Sequence, residues 1–498
     1  MVKNYLNDEF LIGYFINNFK KAKFLKRDSV KNQIKVNLKE LLENEKKIEE
    51  SLVKTAEQGF IPKSQQRKVE IIHELWDLFI KEAIYCLRDQ DLEDPNKFKQ
   101  DFGIIEIKEY FEKFSKFEEI LYGTDRYYRD HSLHVIRVFF LGFYLLSSKL
   151  SDESDFEINF ESIEIRSSKC LKRNFISIDE MQAIWTIIAL AHDLGYPIEM
   201  IEKINKKITG LIKYYGPSGI EEFKYHLPLQ NQFLNDFILK FISSKLTQKE
   251  KEDEYYTVIQ NKYYLKFAKA FENFSHGIMS CILLMKHLVY FKESDYSHSR
   301  LNFLVERDAI QFLIRRTILR SIASHDNQDI YHIFPNNFLF LLVFCDDLQE
   351  WDRPRITHRF QPSDNIIVKS FNLKEIFFEK HIKFSEKSNI DEDVLKSFAR
   401  SVKKYIKLFR SGPDSESRPF DFKYSILVKN DAEEFEKIFV FEYPTQKLPK
   451  IEIPSLNNTH QELIGIFLDF IQKDYKINDE IEHLLHLINK ELQKKFKK

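Results

Sequence analysis

Between Phe114 and about Arg359 the chain carries long runs in which apolar residues fill most positions: HSLHVIRVFFLGFYLLSSKL, DEMQAIWTIIALAHDLGYP, GIMSCILLMKHLVYF, AIQFLIRRTILRSIASHD and FLFLLVFCDDLQEW. Runs of that length, apolar on nearly every side, predict helices at the centre of an all-α bundle. From Met1 to Lys113 apolar positions recur three and four apart among Lys and Glu, as in VEIIHELWDLFIKEAIYCL. That period predicts amphipathic helices, with GFIPKSQQRK around Pro62 as the best break. Beyond Gln361 the texture changes: DNIIVKSFNLKEIFFEKHIKFSE, FKYSILV and KIFVFEY contain short alternating, strand-like runs around a helical DEDVLKSFARSVKKYIKLF, and RSGPDSESRP is a loop. The end, from HQELIGIFLDF onward, predicts one or two terminal helices. The expectation is a mainly α protein: an N-terminal helical segment over 1–113, a helical-bundle core domain over 114–360, and a C-terminal α+β accessory unit with terminal helices over 361–498. Two polar stretches, SDESDFEINFESIEIRSSKCLKRN and the one from EEFKYHLPLQ to QKEKEDEYYT, read as surface excursions, and no internal repeat is evident.

Composition adds limits. With 43% hydrophobic residues, 46 Phe and 23 Tyr in 498 positions, the chain can bury a large core and does not resemble a disordered one. Lys and Arg number 76 against 77 Asp and Glu, so a net charge of -1 gives no global field that would draw the molecule onto nucleic acid or an anionic membrane. Cys86, Cys170, Cys281 and Cys345 lack CxxC spacing, which argues against a disulfide scaffold. No stretch of about 18 uncharged apolar residues occurs, and the N-terminus lacks a clean apolar signal region, so the expected location is the cytoplasm with no membrane partner.

The chemistry concentrates in the central helices. Fifteen His and a typical share of Asp predict roughly one His-Asp dipeptide by chance, and the chain has two, His192-Asp193 and His325-Asp326. The first stands at the end of an apolar helix stopped by Gly195 and Pro197. A carboxylate at the end of a buried helix needs a partner, and a divalent cation is the best one available. His134, His276, His325 and Asp346 also stand at borders of apolar helices, so a bundle can bring all of them to one pocket. A mixed His and Asp set can hold two divalent ions with Asp193 bridging. Two ions about 3.5–4 Å apart would clamp a phosphate and generate hydroxide near neutral pH. The residue types do not distinguish Mn, Fe, Mg, Ni and Zn.

The ordered set His134, His192-Asp193 and Asp346, in the stretches HVIRV, AHDLGYP and FCDDLQEWDRP, resembles the HD-domain superfamily of metal-dependent phosphohydrolases over about half the chain, Tyr122 to Arg359. The resemblance implies an HD-domain helical-bundle core. It assigns His134, His192, Asp193 and Asp346 to a basic metal site, with His276 and His325 as the extra ligands of two-metal members such as HD-GYP phosphodiesterases. In HD-GYP proteins the dipeptide is followed by Gly-Lys and the later histidine is doubled. Here Tyr196 follows Gly195 and Asp326 follows His325, so cyclic di-GMP is not assigned. The first motif is also similar to cyclic-nucleotide phosphodiesterases, in which an earlier histidine protonates the leaving oxygen. His131, three positions before His134, is the residue that could take that role.

The resemblance implies a phosphohydrolase or phosphodiesterase acting, through a hydroxide bridging two divalent ions, on a small phosphate ester, a nucleotide or related molecule. Deoxynucleoside triphosphate hydrolysis, single-strand nuclease action and a non-catalytic nucleotide-sensing module are the alternatives. A nucleic-acid partner is not favoured by the neutral composition, and an oligomer is left open. Several assignments have plain competitors. His276 could be an ordinary helix-start residue, Ser324 and Asp326 could make a turn around His325, and Asp347 competes with Asp346. Arg126, Arg129 and Arg137 lie near the first motif and could meet phosphate oxygens, but a charge-rich helix carries such arginines anyway.

Overall fold

The computed structural model describes residues 5–55, 63–89, 103–124, 130–149, 163–164, 176–212, 214, 229–248, 254–293, 303–327, 329–330, 337–351, 365–383, 398, 401–402, 405, 420–429, 435–444 and 450–452. Among them are thirteen α-helices: α1 (Asp8–Asn17), α2 (Asp28–Thr55), α3 (Lys63–Asp89), α4 (Ile104–Thr124), α5 (Ser132–Tyr144), α6 (Ile178–Ala191), α7 (Tyr196–Ile212), α8 (Leu229–Ser243), α9 (Asn261–Glu272), α10 (His276–His287), α11 (Val289–Lys292), α12 (Glu306–Ser324) and α13 (Phe338–Leu348). The five runs that the sequence marks as central form α5, α6, α10, α12 and α13, and the protein is mainly α with a small α+β unit. Among the described residues no helix is long and apolar enough to cross a membrane.

Helix α6 shows why the centre sits where it does. Ser177 and Glu180 close a capping box at its start, and every residue from Gln182 to Ala191 is buried. With no polar face to turn to solvent, it must be surrounded. Helix α3 covers one side, where the Trp76 indole donates to the Leu190 carbonyl (2.8 Å) and stacks on Phe111 of α4 at 4.8 Å. Helices α5 and α12 close other sides. One apolar core runs from Leu6 to Phe441. Helix α4 crosses the expected boundary at 113/114 without a break, so the N-terminal helices are part of the wall around the centre.

The expected strands are present after residue 361. A five-stranded sheet runs in the order β4 (Asn365–Phe371), β5 (Glu375–Lys383), β6 (Asp421–Lys429), β7 (Phe435–Tyr443) and β8 (Lys450–Glu452). It is antiparallel except for the parallel β5·β6 pair, which needs a crossover. Phe398, Val402 and Tyr405 of that crossover are buried at helical spacing. The sheet is packed on α13 through Phe344, which meets Phe371 and Phe378 at ring distances of 5.1 and 5.7 Å. The loop RSGPDSESRP and the terminal helices lie outside the described residues.

The two polar excursions need correction. Part of the second is α8, which buries Ile238, Leu239, Phe241 and Ile242; interspersed Asn, Gln and Asp conceal its apolar stripe in the sequence. A three-stranded sheet follows, β1 (Ile163–Glu164), β2 (Ser244–Gln248) and β3 (Tyr255–Ile259), in which a piece of the first excursion pairs with the second.

Candidate metal centre

Helix ends deliver the donors. His134 lies in the first turn of α5, His276 opens α10, and Asp346 lies in the last turn of α13. His192 and His325 cap the C-termini of α6 and α12 with nearly the same backbone, φ/ψ of -63°/-34° and -64°/-33°. Both rings use Nδ1 in the same way: His192 donates to the Ala189 carbonyl (2.8 Å) and His325 to the Ile322 carbonyl (2.7 Å). That fixes the tautomer and leaves Nε2 as a lone pair facing inward.

The turn from α6 to α7 is pressed onto the start of α10. A Cβ on Gly195 would lie 2.1 Å from the His276 carbonyl oxygen. Gly195 is not among the residues with positive φ, so close approach, not backbone conformation, is what requires glycine here. Ser280 on α10 completes the joint, donating to the His192 carbonyl (2.7 Å) and accepting from the Gly195 amide (2.7 Å).

Asp193 stands in the middle. Its Oδ2 lies 3.3 Å from His192 Nε2 and 3.8 Å from His134 Nε2; its Oδ1 lies 3.5 Å from His276 Nε2 and 3.7 Å from His325 Nε2. Asp346 Oδ1 is 2.9 Å from His134 Nε2. Metal–ligand bonds of about 2.0–2.2 Å set neighbouring donors about 3–3.5 Å apart, so separations of 2.9–3.8 Å are close to those a bound ion would need.

The donor chemistry fits a cation. His192 Nε2 is buried with no hydrogen-bond partner. His134 Nδ1 donates to Gln349 Oε1 (2.6 Å), which turns its Nε2 lone pair onto a carboxylate oxygen. His276 Nδ1 pairs with Glu199 (2.5 Å), and its Nε2 meets His325 Nε2 at 3.0 Å. Two nitrogen lone pairs, or a lone pair and a carboxylate, hold such distances only with positive charge between them. These buried clusters can hold a metal ion; His134, His192 and Asp193 form one group, and Asp193, His276 and His325 another.

The electrostatics agree. Burial would raise Asp193, but the surrounding histidines outweigh it and hold the carboxyl well below its usual range. Burial pushes His192 down to about 4, which keeps it a neutral donor. Burial would also lower His276, yet Asp326, Glu199 and Asp193 lift it to about 10. A pocket that draws a proton so strongly draws a cation for the same reason.

Thus the structure brings together His134, His192, Asp193, His276, His325 and Asp346. Asp346, not its neighbour Asp347, joins the cluster. His131 lies at the edge, its ring stacked on Tyr196 at 4.0 Å and its Nδ1 3.7 Å from Glu118 Oε1. Arg137 does not serve phosphate: it is buried, and its Nε and terminal nitrogen donate to both oxygens of Asp8 at 2.6–2.9 Å. Arg126 and Arg129 lie outside the described residues. Sequence reasoning missed Glu199, Asp326, Gln349 and Glu118. Asp326 carried a signal, as half of the second His-Asp dipeptide, and Gln349 sits three residues past Asp346 in CDDLQEW. Compared with protein-family models, curated proteins and solved structures, the chain matches none.

Proposed function

We propose that the protein is a metal-dependent phosphohydrolase that holds two divalent cations and cleaves a phosphate ester of a nucleotide or a related small molecule. The observation that carries this reading is the division of Asp193, with one oxygen turned to His134 and His192 and the other to His276 and His325. His134, His192, Asp193 and Asp346 would hold one ion, and Asp193, His276 and His325 the other. Such a pair polarises phosphate oxygens and acidifies water near neutral pH. The HD-like order of these residues along the chain supports the same class. His131 is the proton donor to the leaving oxygen in this reading, through Nε2, because Nδ1 is turned to Glu118 and the ring is braced on Tyr196.

The test is metal analysis of the purified protein, then a panel of cyclic mononucleotides, cyclic dinucleotides, deoxynucleoside triphosphates and single-stranded oligonucleotides, with Asp193→Ala as control. The expected result is turnover of a nucleotide ester by wild type and none by the variant. Equal turnover by both would place the active centre elsewhere. Tight nucleotide binding with no turnover, after loading with Mn or Fe, would replace the enzyme by a sensor.

A further inference from the structure

A chain of buried hydrogen bonds leads from one of the inward-facing histidines, His134, away from the site to Asp8 and Arg137. Gln349, fully buried just past α13, accepts from His134 Nδ1 with Oε1 (2.6 Å) and donates from Nε2 to the Trp351 carbonyl (2.8 Å). The second bond settles the first: with Nε2 bound to a carbonyl, the oxygen must face His134, and His134 must carry its proton on Nδ1. The Trp351 indole donates to Asp8 Oδ1 (2.9 Å), and Asp8 accepts from Arg137, one turn beyond His134 on α5. His134, Gln349, Trp351, Asp8 and Arg137 are all more than nine-tenths buried.

We propose that Gln349, braced by Trp351 and Asp8, is the positioning residue for His134: it holds the proton on Nδ1 so that the Nε2 lone pair faces Asp193 and Asp346. The need for such a residue is visible at the other ring nitrogen. Asp346 Oδ1 lies 2.9 Å from His134 Nε2, so without an acceptor at Nδ1 the imidazole would place its proton on Nε2 and donate it to Asp346, closing the position a metal needs. The other inward histidines take their acceptors from backbone carbonyls or from Glu199. His134, in the first turn of its helix, takes it from a side chain on another element, and the N-terminal helix supports that side chain through Asp8.

The proposal deepens the metal-centre reading and rests on it for one arm of the test. Long-range proton–nitrogen correlation spectra of the metal-free, histidine-labelled full chain, with His134→Gln for assignment, report where the His134 proton sits. Cobalt titration reports affinity. Wild type is expected to carry a proton on Nδ1. Gln349→Leu should move it to Nε2 alone and weaken cobalt binding about 10–100-fold. Gln349→Glu, which keeps an acceptor, should restore the Nδ1 proton and most of the affinity. A wild-type His134 with no proton on Nδ1 overturns the proposal, and so does a folded Gln349→Leu with unchanged tautomer and affinity. If Gln349→Leu does not fold, wild type and Gln349→Glu decide. If wild type binds no cobalt, the metal reading falls, and the tautomers alone sustain or overturn the role of Gln349.

Discussion

Replacing Gly195 with alanine tests the joint that sets His276 against Asp193. The added Cβ would lie 2.1 Å from the His276 carbonyl oxygen, 2.6 Å from Met279 Cβ and 2.7 Å from the Ser280 amide nitrogen, against ordinary contacts of 3.4–4 Å. Two of the three obstacles are backbone, so no rotamer change relieves them, and the α6–α7 turn and α10 must part by roughly 1 Å. Overpacking of this kind costs about 1–3 kcal/mol, within a total stability on the order of 5–15 kcal/mol, so the variant should fold. Metal ligands tolerate only about 0.2 Å, so the His276 side of the cluster should fail before the fold does. Gly142→Ala is the matched control. Its Cβ would meet Trp185 at 2.0 Å, a clash of the same size about two turns along α5 from His134. Guanidinium unfolding and metal stoichiometry, measured on both variants, should show destabilisation of both but metal loss from Gly195→Ala alone. Wild-type metal content in Gly195→Ala, or equal metal loss in both, would refute the reasoning.

Other perturbations separate the parts of the centre. His276→Ala should lower the bound-metal count by one and Asp193→Ala by both ions, measured by elemental analysis; equal losses would contradict the shared carboxylate. Asp8→Asn should cost about 3–5 kcal/mol at pH 7, because it leaves Arg137 buried without its counter-charge. Burial would raise the Asp8 carboxyl, but Arg137 and Trp351 hold it below its ordinary 3.8, so its contribution is present above that value and declines as the pH falls toward the folded-state value. The stability gap between wild type and Asp8→Asn, read by urea unfolding, should therefore be wide at pH 7 and narrow below about pH 4. A gap independent of pH would break that argument. Trp76→Phe leaves the buried Leu190 carbonyl without its indole donor and should cost about 1–3 kcal/mol in the same assay, with metal content unchanged. Chelated protein should bind no nucleotide in equilibrium dialysis, and recovery of binding on adding metal is the check.

What could be read from the sequence was what local pattern governs. His192 and Asp193 stand out because an apolar run such as AIWTIIALA has one place to put a polar pair, its end, and the same reasoning picks His134, His276, His325 and Asp346. The five central helices follow from long continuous apolar runs, and the later strands from alternation. Residues that act on those donors were not legible, because their partners lie far away along the chain. Gln349 serves His134 across 215 positions, and Glu199 serves His276 across 77. Arg137 illustrates the converse: beside the first motif it resembles a phosphate ligand, and only Asp8, 129 positions earlier, reveals its commitment. The α8 stripe was lost because polar residues interrupt it and the tertiary contact with α12 decides its state.

Exposure indicates how the centre can be approached. The side chains of His134 and His192 have none, and His325 has 2%, whereas Asp346 has 30%, Glu199 32% and His276 17%. The donors therefore form a closed floor with an open edge at Asp346 and His276. Two of the three groups on that edge are carboxylates held in their charged forms, Asp346 by His134 and Glu199 by His276, each against the opposing effect of burial. An edge of that sign repels a phosphate. Cations on the floor would reverse the sign at the place where the ester has to arrive, so in the proposed enzyme the same ions that activate water would also admit the substrate, and binding and turnover would depend on metal together.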